Sequence, residues 1–337
     1  MTTKERIAKA LALATDTKVF EMDSNILHLA PTIFKEHFGD ARAIVIADKN
    51  TWRVAGEEVY NHLAAAGIDT VKHIIQQDEF HAEWCYVMEV EEAAKEADAI
   101  MVSVGSGVIN DLCKLASHHL NQQYLTIPTA ASVDGYSSFG ASISYEGLKQ
   151  TFECPAPLAI LADVEVIANA PKEMTAAGYA DLAAKIPAGA EWIVADFVGA
   201  EPIHDAAWHI SQDGLKAALS DPEGVAALKP EAIAPFVEGL MLSGFAMQAA
   251  RSSRPASCTD HLFSHLWNMR NHTYQGVTPS HGFQVSVGTL MMCAMFDQMY
   301  KSDLTQLDVD AAVAAWKSAD QVRREAEELF RGLPFAE

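Results

Sequence analysis

The first half of the chain alternates short, near-continuously apolar runs with segments whose apolar residues recur every three or four positions. The runs at 43–47, 70–75, 99–104, 124–128 and 155–163 read as β-strands, and residues 54–66, 89–97 and 108–120 carry helical spacing. Strands that are apolar at consecutive positions are buried on both faces, so the pattern predicts a parallel sheet covered by helices on each side. Residues 142–153, centred on Glu146-Gly147, read as a β-hairpin. From residue 171 the β-branched runs disappear and helical spacing persists to the C-terminus. The expected architecture is a Rossmann-like α/β N-terminal domain, residues 1–165, followed by an all-α C-terminal domain, residues 166–337, with the break near 164–172.

Two loops at the carboxyl ends of these strands have the composition of a ligand cradle. Gly105-Ser106-Gly107-Val108-Ile109 joins a buried strand to a helix. Glycine lets the backbone approach a pyrophosphate, and a helix N-terminus offers N–H groups and partial positive charge. The stretch matches neither GxGxxG nor a P-loop, and a plain strand-to-helix turn is the competing reading. Residues 128–138 leave the next strand and are rich in small and hydroxyl side chains, among them Thr129, Ala130, Ala131, Ser132 and Ser138. Open parallel sheets bind ligands along this edge, so the two loops together point to a dinucleotide. Asp48 closes an earlier strand, where a carboxylate takes a ribose hydroxyl or caps a helix. Lys49 beside it would suit a 2′-phosphate, which leaves both NAD and NADP open.

The second half carries the metal chemistry. His261, His265, His272 and His281 are four of the thirteen histidines, and the first two share one helix face. Neutral imidazoles gathered this way suit zinc and neighbouring transition metals, with His281 and an upstream carboxylate as further ligands. Asp181 and Lys185 also share a helix face. Such a pair is ordinarily an exposed ion pair, but the small apolar flanks here place Asp181 partly inside, where a carboxylate needs a partner. His272 lies in a polar stretch and is not expected to ligate, and His118-His119 reads as solvated. His261-Leu262-Phe263-Ser264-His265 is not a zinc-protease motif, because leucine stands where the general-base glutamate would be. Arg254 and Arg270 are candidate phosphate donors through their forked guanidinium groups, with a structural ion pair as the other reading of Arg254. The six tryptophans read as core or interface.

Composition narrows the function classes. A chain of 337 residues, half of them apolar and a fifth charged, suits two folded domains. The net charge of −21 argues against a nucleic-acid or anionic-membrane surface, yet leaves room for a small anionic substrate. Five cysteines without a CxxC pair read as reduced thiols in a cytoplasmic protein, Cys258 being a further ligand option because it lies beside the histidines. Residues 1–13 are too short and interrupted for a signal peptide, and no membrane-spanning apolar run is expected.

The segments GSGVINDLCK (105–114), PTAASVDGYSS (128–138), GYADLAAK (178–185), SRPASCTDHLFSHLW (253–267) and SHGFQVSVGTL (280–290) carry a family resemblance over nearly the whole chain. The chain resembles the superfamily of iron-containing alcohol dehydrogenases, glycerol dehydrogenases and 3-dehydroquinate synthases, and within it the glycerol-1-phosphate dehydrogenase family. The resemblance implies a dehydroquinate synthase-like fold. It also implies cofactor contacts from Asp48, Gly105, Ser106, Gly107, Val108, Ile109, Thr129, Ala130, Ala131, Ser132 and Ser138. Asp181, His261 and His281 would hold the metal. Asp134 and His265 would serve substrate and catalysis, with Asp181 also near the substrate. Two departures stand out: Cys258-Thr259-Asp260 replaces the family's usual Gly-Ser-Glu, and Phe283-Gln284 replaces a charged Glu-Lys pair.

The implied activity is a metal-dependent, NAD(P)-linked interconversion of dihydroxyacetone phosphate and sn-glycerol 1-phosphate, a reaction of phospholipid metabolism. Hydride transfer would take place at C2, with the metal as a Lewis acid. Zinc is the expected ion, and nickel and iron accept the same donors. A dehydrogenase of glycerol or another small polyol, a dehydroquinate synthase-like lyase and a non-catalytic dinucleotide sensor are the alternatives. A homo-oligomer of two or more copies is expected, with no nucleic-acid or membrane partner.

Overall fold

The computed structural model describes residues 3–332, so the outermost ends of the two expected spans, 1–2 and 333–337, lie outside the described residues. In chain order the strands are β1 (Val19–Asp23), β2 (Arg42–Asp48), β3 (Thr70–Ile75), β4 (Ala99–Gly105), β5 (Leu125–Pro128), β6 (Ala141–Tyr145), β7 (Leu148–Phe152) and β8 (Ala159–Asp163). Six of them form one parallel sheet in the order β1-β8-β5-β4-β2-β3, and β6 and β7 pair as a separate antiparallel hairpin. The five apolar runs are therefore all strands, the last of them only from Ala159. Strand β1 was not anticipated. It pairs on one side only, Phe20 is its single buried residue, and Glu21 and Asp23 are exposed, so it carries no apolar run to read.

Side chains alternate between the faces of a strand, and each face of the sheet builds its own core. Val45, Val102, Val104 and Ile127 meet α2 (Ala30–Phe38) and α3 (Glu57–Ala65). Ile44, Ile46 and Met101 meet α4 (Trp84–Ala97) and α5 (Gly107–His119) on the opposite face. Helix α1 (Thr3–Leu13) belongs to neither layer.

After β8 the long elements are helical: α6 (Lys172–Ala183), α7 (Lys185–Phe197), α8 (Asp205–Gln212), α9 (Pro230–Ala250), α10 (Thr259–Met269) and α11 (His281–Lys301). A third core surrounds α9 and takes in Ala10 and Ala14 from the N-terminal end of the chain, together with Phe20 and Ile160 from the sheet. Helix α1 thus packs on the helical half. By length and composition α9 does reach the apolar character of a membrane span, which the sequence reading did not expect. Its most apolar window is 78% buried inside the protein, as the central helix of a helical core requires. The architecture is a parallel α/β sheet followed by a helical region.

Candidate active site

The nucleotide end is built at the carboxyl edge of β2, β4 and β5. Strand β4 stops at Gly105 and α5 begins at Gly107, with Ser106 between them providing no side-chain cap. The first-turn N–H groups of α5 consequently have no intrahelical acceptor. Thr129 N–H donates to Gly105 O at 3.0 Å, which ties the loop after β5 to this turn. Lys114, fully buried on α5, donates to the carbonyls of Gly135, Ser138 and Gly140 at 2.8, 2.8 and 3.0 Å and so fixes the rest of that loop. Thr129, Ala130, Ala131 and Ser138 are buried, Ser106, Gly107, Val108 and Ser132 half-buried, and the Ile109 side chain lies in the core. This arrangement of open N–H groups and small residues fits the pyrophosphate of a dinucleotide. Asp48 caps the short helix after β2, accepting from the N–H groups of Asn50 and Thr51 at 2.7 and 3.0 Å. Lys49 is paired with Asp78 at 2.8 Å.

The second part of the site depends on two close backbone approaches. A side chain at Gly178 would place its Cβ 1.9 Å from Ala131 O, and one at Gly282 would place it 2.0 Å from Ala177 O. Glycine at both positions lets α6 press against the loop and α11 press against α6. Asp181 and His281 are thereby brought together. Asp181, His261 and His281 each offer a ligand atom, and these atoms lie within 4.8 Å of one another.

The surroundings of the three groups fix their orientation. Asp181 is 1% exposed; its Oδ2 accepts from Asp134 N–H at 2.9 Å and its Oδ1 from Lys185 Nζ at 2.8 Å. Lys185 is wholly buried and also reaches Asp134 Oδ2 at 2.9 Å, an oxygen that accepts from Ser243 as well. The exposed ion pair that the spacing alone suggests is therefore a buried bridge from α6 to the loop after β5. His261 Nδ1 pairs with Asp260 Oδ1 at 2.7 Å, and its Nε2 stands 3.6 Å from Asp181 Oδ1. His281 Nδ1 meets Ser264 Oγ at 3.2 Å, which leaves Nε2 for a ligand. Gln284, one of the departures from the family pattern, bonds Ser264, Asn268 and the Pro279 carbonyl and so locks α10 to α11.

Charge follows from this geometry. Burial opposes ionisation of Asp181, but Lys185 and His261 outweigh it and hold the carboxyl well below the usual range. Burial likewise opposes the Lys185 charge, and Asp134 and Asp181 overcome it. For His261 burial is outweighed by the carboxylates of Asp181 and Asp260, so its pKa lies above the ordinary value. For His281 burial wins, with the positive field of His261 adding to it, and the pKa falls to about 3. A permanently ionised carboxylate beside a neutral imidazole is a donor set that suits a divalent transition metal.

His265 lies one turn beyond His261 with its residue surface exposed. The desolvating wall of the site, then His261 and Lys149, lower its pKa and keep it neutral near pH 7. Other candidates stand elsewhere. Arg254 is held by Glu191 and Glu201 at 3.4 and 3.2 Å, and Arg270 is an exposed helix terminus. His118, His119 and His272 are exposed. Cys258 contacts Arg254 and Ala188 O, and burial pushes its thiol up to about 12. Asp260, expected from the sequence only as a departure from the family pattern, is the partner of His261. Ser264, Ser243 and Lys114 have no role in the sequence reading, because their roles depend on partners distant in the chain or on burial; Ser264 and Lys114 do lie within the quoted motifs.

Residues 21–171 match the family of iron-containing alcohol dehydrogenases. The chain is 32% identical over 304 residues to a glycerol-1-phosphate dehydrogenase [NAD(P)+] of Halalkalibacterium halodurans, covering 87% of this chain and 75% of that protein. It is 30% identical over 318 residues to the enzyme of the same name from Halobacterium salinarum, covering 92% and 86%. Glycerol dehydrogenase from Schizosaccharomyces pombe shares the fold with a TM-score of 0.67 at 20% identity, over 84% of this chain and 72% of that one. With a glycine turn and a carboxylate–imidazole cluster meeting across one loop, and with relatives matched over most of their length, the chain belongs to the glycerol-1-phosphate dehydrogenase family, an NAD(P)-dependent and metal-dependent group of oxidoreductases.

Proposed function

We propose that this protein interconverts dihydroxyacetone phosphate and sn-glycerol 1-phosphate, using NADH or NADPH and one divalent metal ion, zinc in the first instance. The observation that carries the reading is the hydrogen bond from Asp134 N–H to Asp181 Oδ2. It joins the cofactor loop directly to the cluster of Asp181, His261 and His281, so redox cofactor and metal would share one substrate.

In this reading Asp181, His261 and His281 hold the ion, and Asp48, the 105–109 turn, residues 129–132 and Ser138 hold the dinucleotide. The bound groups supply Lewis acidity toward the C2 oxygen and the hydride exchanged at C2. Lys185 neutralises one of the two carboxylates it bridges and keeps both in place. Asp134, fixed by Lys185 and Ser243 through Oδ2, orients the substrate hydroxyls with its other oxygen. Neutral His265 moves the proton of the C2 hydroxyl to and from solvent, a role its exposure and lowered pKa support. The sheet half, 1–165, serves as the cofactor domain and the helical half, 166–337, as the metal and substrate domain.

A cytoplasmic location agrees with the five free thiols. A homo-oligomer agrees with the exposed apolar residues Leu290, Met291 and Met295 of α11, a patch that a second copy would cover. The test is reduction of dihydroxyacetone phosphate by NADH and by NADPH after supplementation with zinc, nickel or iron, with the product's stereochemistry determined. Formation of sn-glycerol 1-phosphate supports the reading. Equal efficiency with dihydroxyacetone would replace it by a polyol dehydrogenase, and turnover without net NADH change would replace it by a lyase.

A further inference from the structure

We propose that Lys149 is the cation that receives the substrate's phosphate; this rests on the phosphorylated-substrate reading above. The two buried lysines of the site and the candidate arginine outside it are already engaged. Lys114 is spent on three backbone carbonyls, Lys185 on two carboxylates, and Arg254 on two glutamates. A dianionic phosphate needs a donor that none of these can release without orphaning a buried partner.

Lys149 is placed by a local rule. Glu146 and Gly147 have φ of 51° and 78°, the two left-handed residues of a tight hairpin turn. That turn fixes the register in which Ser144 pairs with Lys149. Ala141 and Ile143 face the core, so Ser142, Ser144 and Lys149 fall on the other side of the ribbon. The hairpin is anchored: Ser142 N–H donates to Asp111 Oδ2 on α5 at 3.3 Å, and Ser144 N–H donates to Ala82 O at 2.7 Å. Strand β7 packs against α10, the helix of His261 and His265.

The lysine therefore stands over the site rather than away from it. Its charge is felt by Asp111 on α5, His265 on α10 and His281 on α11, three elements that surround the same space. Among the described residues it forms no hydrogen bond and no ion pair; its residue surface is exposed. A phosphate there would be bound by a lysine acting as a point charge, while the C2 end of the same molecule lies between the metal ligands and His265.

The experiment compares dihydroxyacetone phosphate with dihydroxyacetone on wild type, Lys149→Ala and Lys149→Arg, each loaded with metal and NADH. Removing a charge-assisted contact should lower the ratio of the two kcat/KM values about 10–100-fold in Lys149→Ala, chiefly through KM for the phosphorylated ketone. Lys149→Arg should keep most of the ratio. Calorimetric Kd values for dihydroxyacetone phosphate on the NADH complex should weaken by a similar factor in Lys149→Ala, which also decides the matter if turnover is too low to measure. A wild type that prefers the phosphorylated ketone, together with a Lys149→Ala variant of unchanged ratio and unchanged Kd, overturns the proposal. A wild type with no such preference overturns the substrate reading beneath it instead.

Discussion

Asp260 Oδ1 lies 2.7 Å from His261 Nδ1, and the same oxygen accepts the N–H groups of Cys258 and His261 at 3.1 and 2.6 Å. One carboxylate oxygen thus ends the turn into α10 and sets the ring of the helix's first ligand candidate. With Nδ1–H committed, Nε2 is the nitrogen left to bind an ion. Partners of this kind orient a ligand histidine and raise its basicity; their loss typically weakens metal affinity about 10–100-fold. Asp260→Ala should show a loss of that size, measured by metal content after dialysis against graded chelator. Asp260→Asn retains an acceptor without the charge and should fall between the two. Unchanged affinity in Asp260→Ala would reduce the carboxylate to a helix cap.

Gly282→Ala tests whether the approach of α11 to α6 assembles the site. The added Cβ would meet Ala177 O at 2.0 Å and its carbonyl carbon at 2.5 Å, both backbone atoms that cannot rotate away. The helices must separate, and His281, the preceding residue, moves from Asp181. Overpacking of this kind costs about 1–3 kcal/mol. A lowered Tm together with loss of bound metal is expected. A variant that kept wild-type metal affinity would show that the ligand cluster tolerates the separation.

What could be read ahead of the structure follows from how local each feature is. Strands β2, β4 and β5 lie inside the sheet, so their buried residues form near-continuous apolar runs, whereas edge strand β1 exposes Glu21 and Asp23 and leaves no run. That Asp181, His261 and His281 would come together was legible from the resemblance their motifs carry. Lys185 was not, since spacing of four residues is the same for an exposed pair and a buried one; the difference is set by Gly178 against Ala131, a contact remote in sequence. Arg254 was ambiguous for the same reason, because Glu191 and Glu201 come from another stretch of the chain. Asp48 caps a helix through Oδ1 alone, bonding Asn50 and Thr51, which leaves Oδ2 for the ribose contact proposed above.

Lys114→Met should destabilise the loop that joins cofactor and metal ends. Methionine fills the space but leaves the carbonyls of Ser138 and Gly140 without their donor, while Gly135 O keeps Asn110 and the Ser138 hydroxyl. Each unsatisfied buried group costs about 1–3 kcal/mol, so a loss of at least about 2 kcal/mol in unfolding free energy is expected from the urea midpoint. Amide exchange at residues 129–140 should accelerate more than exchange in α9. Uniform acceleration would mean that Lys114 supports the whole domain rather than this loop.

Metal uptake by the metal-free protein should release one proton, not two, in mildly acidic solution. His261 has a raised pKa, so below that value a proton occupies it and the ion must displace it. His281 stays neutral down to about 3 and Asp181 stays ionised, so neither adds a competing proton between those limits. The association constant should then be level above the His261 pKa and fall about tenfold per pH unit below it. Calorimetric titration with zinc in buffers of different ionisation enthalpy measures both the slope and the proton count. A slope of two would mean that His281 titrates with His261, in which case burial does not hold it neutral. A slope of zero would place the ion on donors other than His261.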